Sequence, residues 1–104
     1  MTDNAAELAP RIDLAVTAVA GVRESYSARP VVARAYERMA EVEGSLAAVE
    51  EAGETRAITV CIGVSADDDS AEVASAVARA VRSAGAGSSD TVRVRVARLV
   101  APRI

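Results

Sequence analysis

Three consecutive aspartates, Asp67 to Asp69, form the densest group of carboxylates in the sequence. Carboxylate oxygens suit calcium and magnesium, but a calcium loop needs alternating acids, a central glycine and a distal glutamate, which this run lacks. The run stands directly before a predicted helix, where Asp69 and Glu72 can cap the first turn and oppose the positive end of the helix dipole. The pattern therefore favours a helix cap and predicts no metal site. A small-ligand or metal-binding module stays as an alternative.

Cys61 is the only cysteine, and the sequence contains no histidine that could activate a nucleophile or bind zinc. It falls in the middle of a predicted strand, where a small apolar side chain is typically buried. A pair of carboxylates could still act as acid and base, but the acidic residues cluster in turns and on helix surfaces. We therefore predict no catalytic residues, no cofactor and no enzymatic activity.

Two arginines alternate with valines in the last predicted strand. Arg93 and Arg95 fall on the face of this strand opposite its valines, and Thr59 is expected on the same face of a neighbouring strand. Such a face can be solvated, or it can bind protein, because the planar guanidinium pairs with a carboxylate through two hydrogen bonds. We take Arg93, Arg95 and Thr59 as the candidate protein-interaction face.

The periodicity of apolar residues gives the elements that must position these side chains. Branched residues alternate over 56–64 and 91–100, which predicts strands, whereas valines recur every four residues over 71–84, which predicts a helix. In chain order the predicted elements are a helix over 10–20, a helix over 31–43, a short strand over 46–51, a strand over 56–64, a helix over 71–84 and a strand over 91–100. The sequence therefore predicts a single domain over 1–104 of the α/β (α+β) class, in the order α-α-β-β-α-β.

The β-β-α-β unit over 45–100 is the clearest part of this pattern. A turn at 52–54 predicts an antiparallel hairpin, and the helix that follows predicts a crossover to a parallel last strand. Together they give a small three-stranded mixed sheet whose aliphatic face packs on helices. The first helix is expected to begin at Pro10, since proline is favoured in a first turn, and the polar stretch 23–29 is expected to be a connection. The pattern does not decide whether the helix over 31–43 covers the open sheet face.

Composition and charge indicate where the protein acts and which partners it can bind. The formal net charge of the 104 residues is −3, the pI is near 4.9, and all 12 basic residues are arginine. An acidic chain is poorly suited to broad phosphate neutralisation, so we expect no nucleic-acid binding. One cysteine fits a reducing compartment, the N-terminus lacks a signal-peptide pattern, and no apolar run approaches the ~20 residues that span a bilayer. We therefore expect a cytoplasmic protein with no direct membrane insertion.

Four segments follow one another along most of the chain: AVTAVAGVRESY (15–26), TVCIGVSADDD (59–69), AEVASAVARAVRSA (71–84) and TVRVRVARLV (91–100). In this order they resemble the alkaline shock protein family of bacterial envelope-stress proteins, especially its small members from GC-rich genomes. The resemblance implies a non-enzymatic protein that sits beneath the membrane through an integral membrane partner and tends to form homo-oligomers. It supplies no catalytic or ligand-binding residues.

We therefore predict a non-enzymatic cytoplasmic protein-binding or scaffold protein that acts in the envelope stress response or in envelope homeostasis. The first alternative is a small regulatory nucleic-acid-binding α/β domain. Sheets that bind RNA use stacking aromatic side chains, and the predicted strands contain none. The second alternative is the ligand or metal module at Asp67 to Asp69.

Overall fold

Two helices and four strands make up residues 5–28 and 46–101, the part of the chain that this computed structural model describes. They are α1 (Ala5–Thr17), β1 (Val22–Tyr26), β2 (Ala48–Ala52), β3 (Thr55–Ser65), α2 (Ser70–Ala84) and β4 (Thr91–Val100). The α/β (α+β) class is confirmed. The predicted helix over 31–43, and the question of whether it covers the open sheet face, lie outside the described residues.

The sheet is built around β3, its longest strand. β4 pairs in parallel along one edge of β3. β2 and β1 pair in antiparallel fashion along the opposite edge, β2 with the first half of β3 and β1 with the second half. The backbone N–H of Ala28, just after β1, donates to the carbonyl of Leu46, just before β2, at 2.8 Å. This hydrogen bond links β1 and β2 along the same edge of β3. The sheet is therefore mixed, as predicted, but it contains four strands rather than three.

The predicted β-β-α-β unit is found in the order β2, β3, α2, β4. The hairpin between β2 and β3 turns at Gly53, which has a φ of +66°, a conformation that glycine adopts without steric penalty. The parallel pairing of β4 with β3 confirms the predicted crossover through α2. Strong alternation of branched residues in β3 and β4 explains why these elements were predictable.

Both helices pack on one face of the sheet and enclose the core. The valine ridge of α2 (Val73, Val77 and Val81) meets the isoleucines and valines that β3 directs to the same side. The fully buried large side chains are Leu8, Ile12, Val16, Ile58, Ile62, Val64, Val77 and Val81. The opposite face of the sheet, here called the open face, carries the candidate residues Thr59, Arg93 and Arg95.

The region before β2 differs from the prediction in two respects. The segment expected to be a polar connection contains β1, which adds the fourth strand. α1 begins at Ala5 rather than at Pro10, so Pro10 lies inside the helix. Leu8 and Ile12 on either side of Pro10 are fully buried, at ~1.5–3 kcal/mol each, which offsets the ~3 kcal/mol penalty of an interior proline.

Candidate functional site

The strand register brings the three predicted residues together on the open face. Thr59 of β3 lies opposite Arg93 of β4, and Cys61 lies opposite Arg95. The neighbours of Thr59 and Cys61 along β3, Val60 among them, point into the core, so this row points away from it. Both arginines are exposed, Thr59 is half-buried, and no carboxylate of the described residues forms an ion pair with either guanidinium. The predicted placement on one face is therefore confirmed.

A third arginine joins the face through a β-bulge that the strict alternation did not predict. In β4, Val96 pairs with Ile62 but Arg98 pairs with Gly63, so Ala97 is an extra residue in the strand. Strict alternation from Val92, Val94 and Val96 would instead place Arg98 on the face of the valines. The extra residue shifts the phase of the strand and brings Arg98 into the arginine row.

Tyr26 from β1 places an aromatic ring on the open face, contrary to the expectation of none. It pairs with Cys61 in the register, and the guanidinium carbon of Arg98 lies 5.6 Å from the ring centroid, a cation–π contact. A Cβ on Gly63 would lie 3.1 Å from the hydroxyl oxygen and 3.2 Å from Cε2 of Tyr26. The ring is therefore seated over Gly63, where a larger residue would crowd it.

The hydroxyl of Tyr26 donates a hydrogen bond to a carboxylate oxygen of Glu24. This hydrogen bond raises the pKa of Tyr26 above its ordinary value, and desolvation and the negative charge of Glu24 add to the effect. The positive charge of Arg98 acts in the opposite direction. Tyr26 thus stands between an acidic neighbour on its own strand and a basic one on β4.

Charge is divided across the open face. Arg93, Arg95 and Arg98 follow β4, while Glu24 of β1 and Glu50 of β2 point to the same face from the other edge, according to their pairing with β3. β3 lies between these rows and contributes small or polar side chains. The basic row is therefore accessible to a partner without first displacing a carboxylate from Arg93 or Arg95.

Cys61 is buried, as predicted, with 6 % of its surface exposed. It lies on the open-face side of β3, between Tyr26 and Arg95 in the register. Its thiol occupies the space of a small apolar residue beneath these larger side chains.

The aspartate run caps α2, as predicted. Oδ1 of Asp69 accepts hydrogen bonds from the backbone N–H groups of Ala71 at 3.0 Å and Glu72 at 3.2 Å. Within 5–28 and 46–101, no three acidic or sulfur ligands are grouped so that they could hold a metal ion. In the same ranges, no helix combines the length and apolarity needed to cross a membrane.

A buried ion pair between Arg56 and Asp90 is the main polar feature that sequence reasoning missed. Nη2 of Arg56 lies 2.9 Å from Oδ2 of Asp90, and Nε lies 3.1 Å from the same oxygen. Asp90 also accepts from the backbone N–H groups of Arg56 at 3.0 Å and Gly87 at 2.7 Å. The Gly87 hydrogen bond, with those from Arg56, lowers the pKa of Asp90 against the opposing effect of burial.

This ion pair orders the glycine-containing loop that follows α2. Arg56 also donates to the carbonyl of Gly85 at 3.3 Å, and Arg82 donates to the carbonyl of Gly87 at 3.1 Å. The loop joins α2 to β4 and therefore sets where the arginine row begins. Both side chains of the pair are buried, so they contribute to the position of β4 rather than to the surface of the candidate face.

No family model, curated protein or solved structure matches the chain.

Proposed function

We propose that this chain is a non-enzymatic protein-binding module that docks a partner on the open face of its sheet. The observation that carries the proposal is the exposed pair Arg93 and Arg95, which lies beside Thr59 and has no ion-pair partner among the described residues. Arginine is enriched at protein interfaces because its guanidinium forms paired hydrogen bonds with carboxylates and stacks on planar groups. An acidic surface of another protein fits this face best.

The rigidity of the site supports the same proposal. β4 is paired with the central strand along its length, and the loop before it is fixed by the buried Arg56–Asp90 pair. The backbone that carries the arginines therefore needs no ordering on binding, so the entropic cost is limited to the side chains, at ~0.5–1.5 kcal/mol each.

For the biological setting, we propose a scaffold role in the envelope stress response or envelope homeostasis. The protein would act in the cytoplasm and reach the membrane surface through an integral membrane partner, and it would also self-associate. The support is the resemblance of four sequence segments to the alkaline shock protein family, taken together with the exposed arginine face.

Capture of partners from native cells, by cross-linking and membrane fractionation, tests this proposal. The bait is the full chain, compared with the double variant Arg93→Glu/Arg95→Glu and with Arg79→Glu. Arg79 is an exposed arginine on α2, on the helical side of the molecule. We expect wild type and Arg79→Glu to retain the same partner and the double variant to lose it. Equal retention by all three proteins would refute the proposed face.

A second candidate function, binding of single-stranded nucleic acid, is favoured by one observation. Tyr26 and three arginines share one face of the sheet, and aromatic rings with arginines can stack and neutralise single strands. The ring of Tyr26 already contacts Arg98 and lies close to Gly63, and its hydroxyl donates to Glu24, which weakens this candidate. Retention of single-stranded RNA at low salt, lost in Tyr26→Ala, would establish it.

A further inference from the structure

We propose that the outer edge of β4 binds an extended segment of the partner as an additional strand, and that this segment alternates acidic and apolar residues. The inference rests on the proposed function and specifies how that partner is held. It follows from three features of β4: a backbone edge that no described strand pairs with, a row of arginines on one face, and exposed aliphatic side chains on the other.

The backbone edge is the first feature. β4 is ten residues long and pairs with β3 along one side. No other strand within 5–28 or 46–101 pairs with β4. About every second N–H and C=O of an edge strand points outward, and such a row is a template for another strand. The six residues of β4 before the bulge at Ala97 are by themselves long enough for a short ladder.

The two faces of β4 differ in chemistry, and this difference defines the segment that fits. Arg95 and Arg98 lie on the open face. On the helical side, Val92 and Val94 pack against the core, but Val96 is 38 % exposed and Leu99 is 60 % exposed. The helices therefore cover the first half of β4 and leave the second half accessible.

An added strand directs alternate side chains to the two faces of the sheet. Those on the open face would lie beside the arginines, where carboxylates form charge-assisted hydrogen bonds. Those on the helical side would lie beside Val96 and Leu99 and cover their exposed surface. Alternation of glutamate or aspartate with valine, isoleucine or leucine satisfies both faces at once.

A second copy of this chain fits the edge less well. Antiparallel pairing of β4 with its own copy would place the arginine rows side by side on the same face, and like charges on neighbouring strands are destabilising. A nucleic acid could meet the arginines but could not continue the backbone ladder or cover Leu99. The charge and apolar pattern together therefore favour an acidic peptide segment.

The test is a titration of the full chain with synthetic peptides. The probe is an acetylated peptide of alternating glutamate and valine, compared with a scrambled peptide that separates the two residue types and with the same peptide N-methylated at its central nitrogens. The N-methylated peptide loses several backbone hydrogen bonds, each worth about two- to tenfold, so we expect it to bind at least about tenfold more weakly. The scrambled peptide keeps its backbone donors but cannot match both faces of β4, and we also expect it to bind more weakly. Hydrogen exchange of β4 amides is expected to slow in the complex.

Charge reversal supplies the matched protein variant. Arg95→Glu is expected to lower the affinity for the glutamate–valine peptide by about tenfold. The same variant should bind an alternating lysine–valine peptide more tightly than wild type does, whereas Arg79→Glu should show wild-type affinity for both peptides. Equal affinity of the N-methylated and parent peptides would overturn the added strand while leaving the docking face intact. No preference over the scrambled peptide, unchanged exchange in β4, preferred binding of RNA, or a dimer through β4 would each overturn the inference. Failure of the proposed function itself would instead appear as equal partner capture by the wild type and the double arginine variant.

Discussion

Arg56 and Asp90 form an ion pair beneath the surface, with Nη2 of the arginine 2.9 Å from Oδ2 of the aspartate. The pair joins the second residue of β3 to the residue that precedes β4. Because β3 and β4 are parallel and Ala57 pairs with Thr91, the ion pair ties together the adjacent starts of the two strands. The arginine row on β4 therefore depends on a contact that lies outside the candidate face.

Asp90→Asn should destabilise the fold, because it removes the carboxylate that pairs with the buried Arg56 guanidinium at 2.9 Å. The loss of one partner of a buried pair costs about 3–5 kcal/mol, a large fraction of the stability of a small domain. Urea denaturation measures this change, and Asp67→Asn, at an exposed acid of the loop before α2, is the control expected to stay within about 0.5 kcal/mol of wild type. A similarly small change for Asp90→Asn would show that the pair does not stabilise the fold.

The lowered pKa of Asp90 predicts a loss of stability in acid. A carboxyl group whose pKa is lower in the folded state stabilises the fold above its unfolded value of 3.8, and this contribution disappears as the pH falls through the folded value. The free energy of unfolding, measured from pH 7 to pH 2, should fall more steeply below pH ~4 in wild type than in Asp90→Asn. Parallel curves for the two proteins would contradict the lowered pKa.

Gly63→Val should destabilise the sheet, because a Cβ at this position meets Tyr26 at 3.1 Å and Cγ2 of Val100 at 3.2 Å. Overpacking of this kind costs about 1–3 kcal/mol. Tyr26→Ala in the Gly63→Val background should recover part of the loss, since it removes the crowded ring. A double-mutant cycle of denaturation midpoints measures the coupling. Strictly additive effects would show that the ring does not rest on Gly63.

Val77→Asp should unfold the protein at 25 °C, because Val77 is fully buried in the core and an unpaired carboxylate there is strongly unfavourable. Ser75→Asp places the same charge on an exposed position of the same helix and should remain folded. Circular dichroism during heating distinguishes the two variants. A cooperative, native-like melt of Val77→Asp would refute the assignment of the core.

The elements that were predicted correctly from sequence are those whose local pattern of apolar residues matches their buried face. β3, α2 and β4 each carry several branched apolar residues at one period, so their type, order and near bounds were predictable. β1 was missed because Val22 and Tyr26 are its only large apolar residues and a bulge at Arg23 interrupts its alternation. Its strand conformation comes from pairing with β3, which is a tertiary effect.

The positions of Arg93 and Arg95 on the candidate face were predictable from sequence, but those of Arg98 and Tyr26 were not. Strict alternation places Arg93 and Arg95 opposite the valines, whereas Arg98 reaches the face only through the extra residue Ala97. The break in the Val-Arg alternation at Ala97 is the sequence feature that could have indicated a bulge. The pairing of Arg56 with Asp90, 34 residues away, leaves no local pattern.

Amide chemical-shift mapping with the partner captured from cells tests the central claim most directly, because it locates the contact surface on the folded chain. On titration of the isotopically labelled protein, the largest shifts should fall on β3 and β4 around Thr59, Arg93 and Arg95. The Arg93→Glu/Arg95→Glu variant should show no shifts at the same partner concentration. Shifts confined to α1 and α2, or equal shifts in the double variant, would place the partner elsewhere and contradict the proposed docking face.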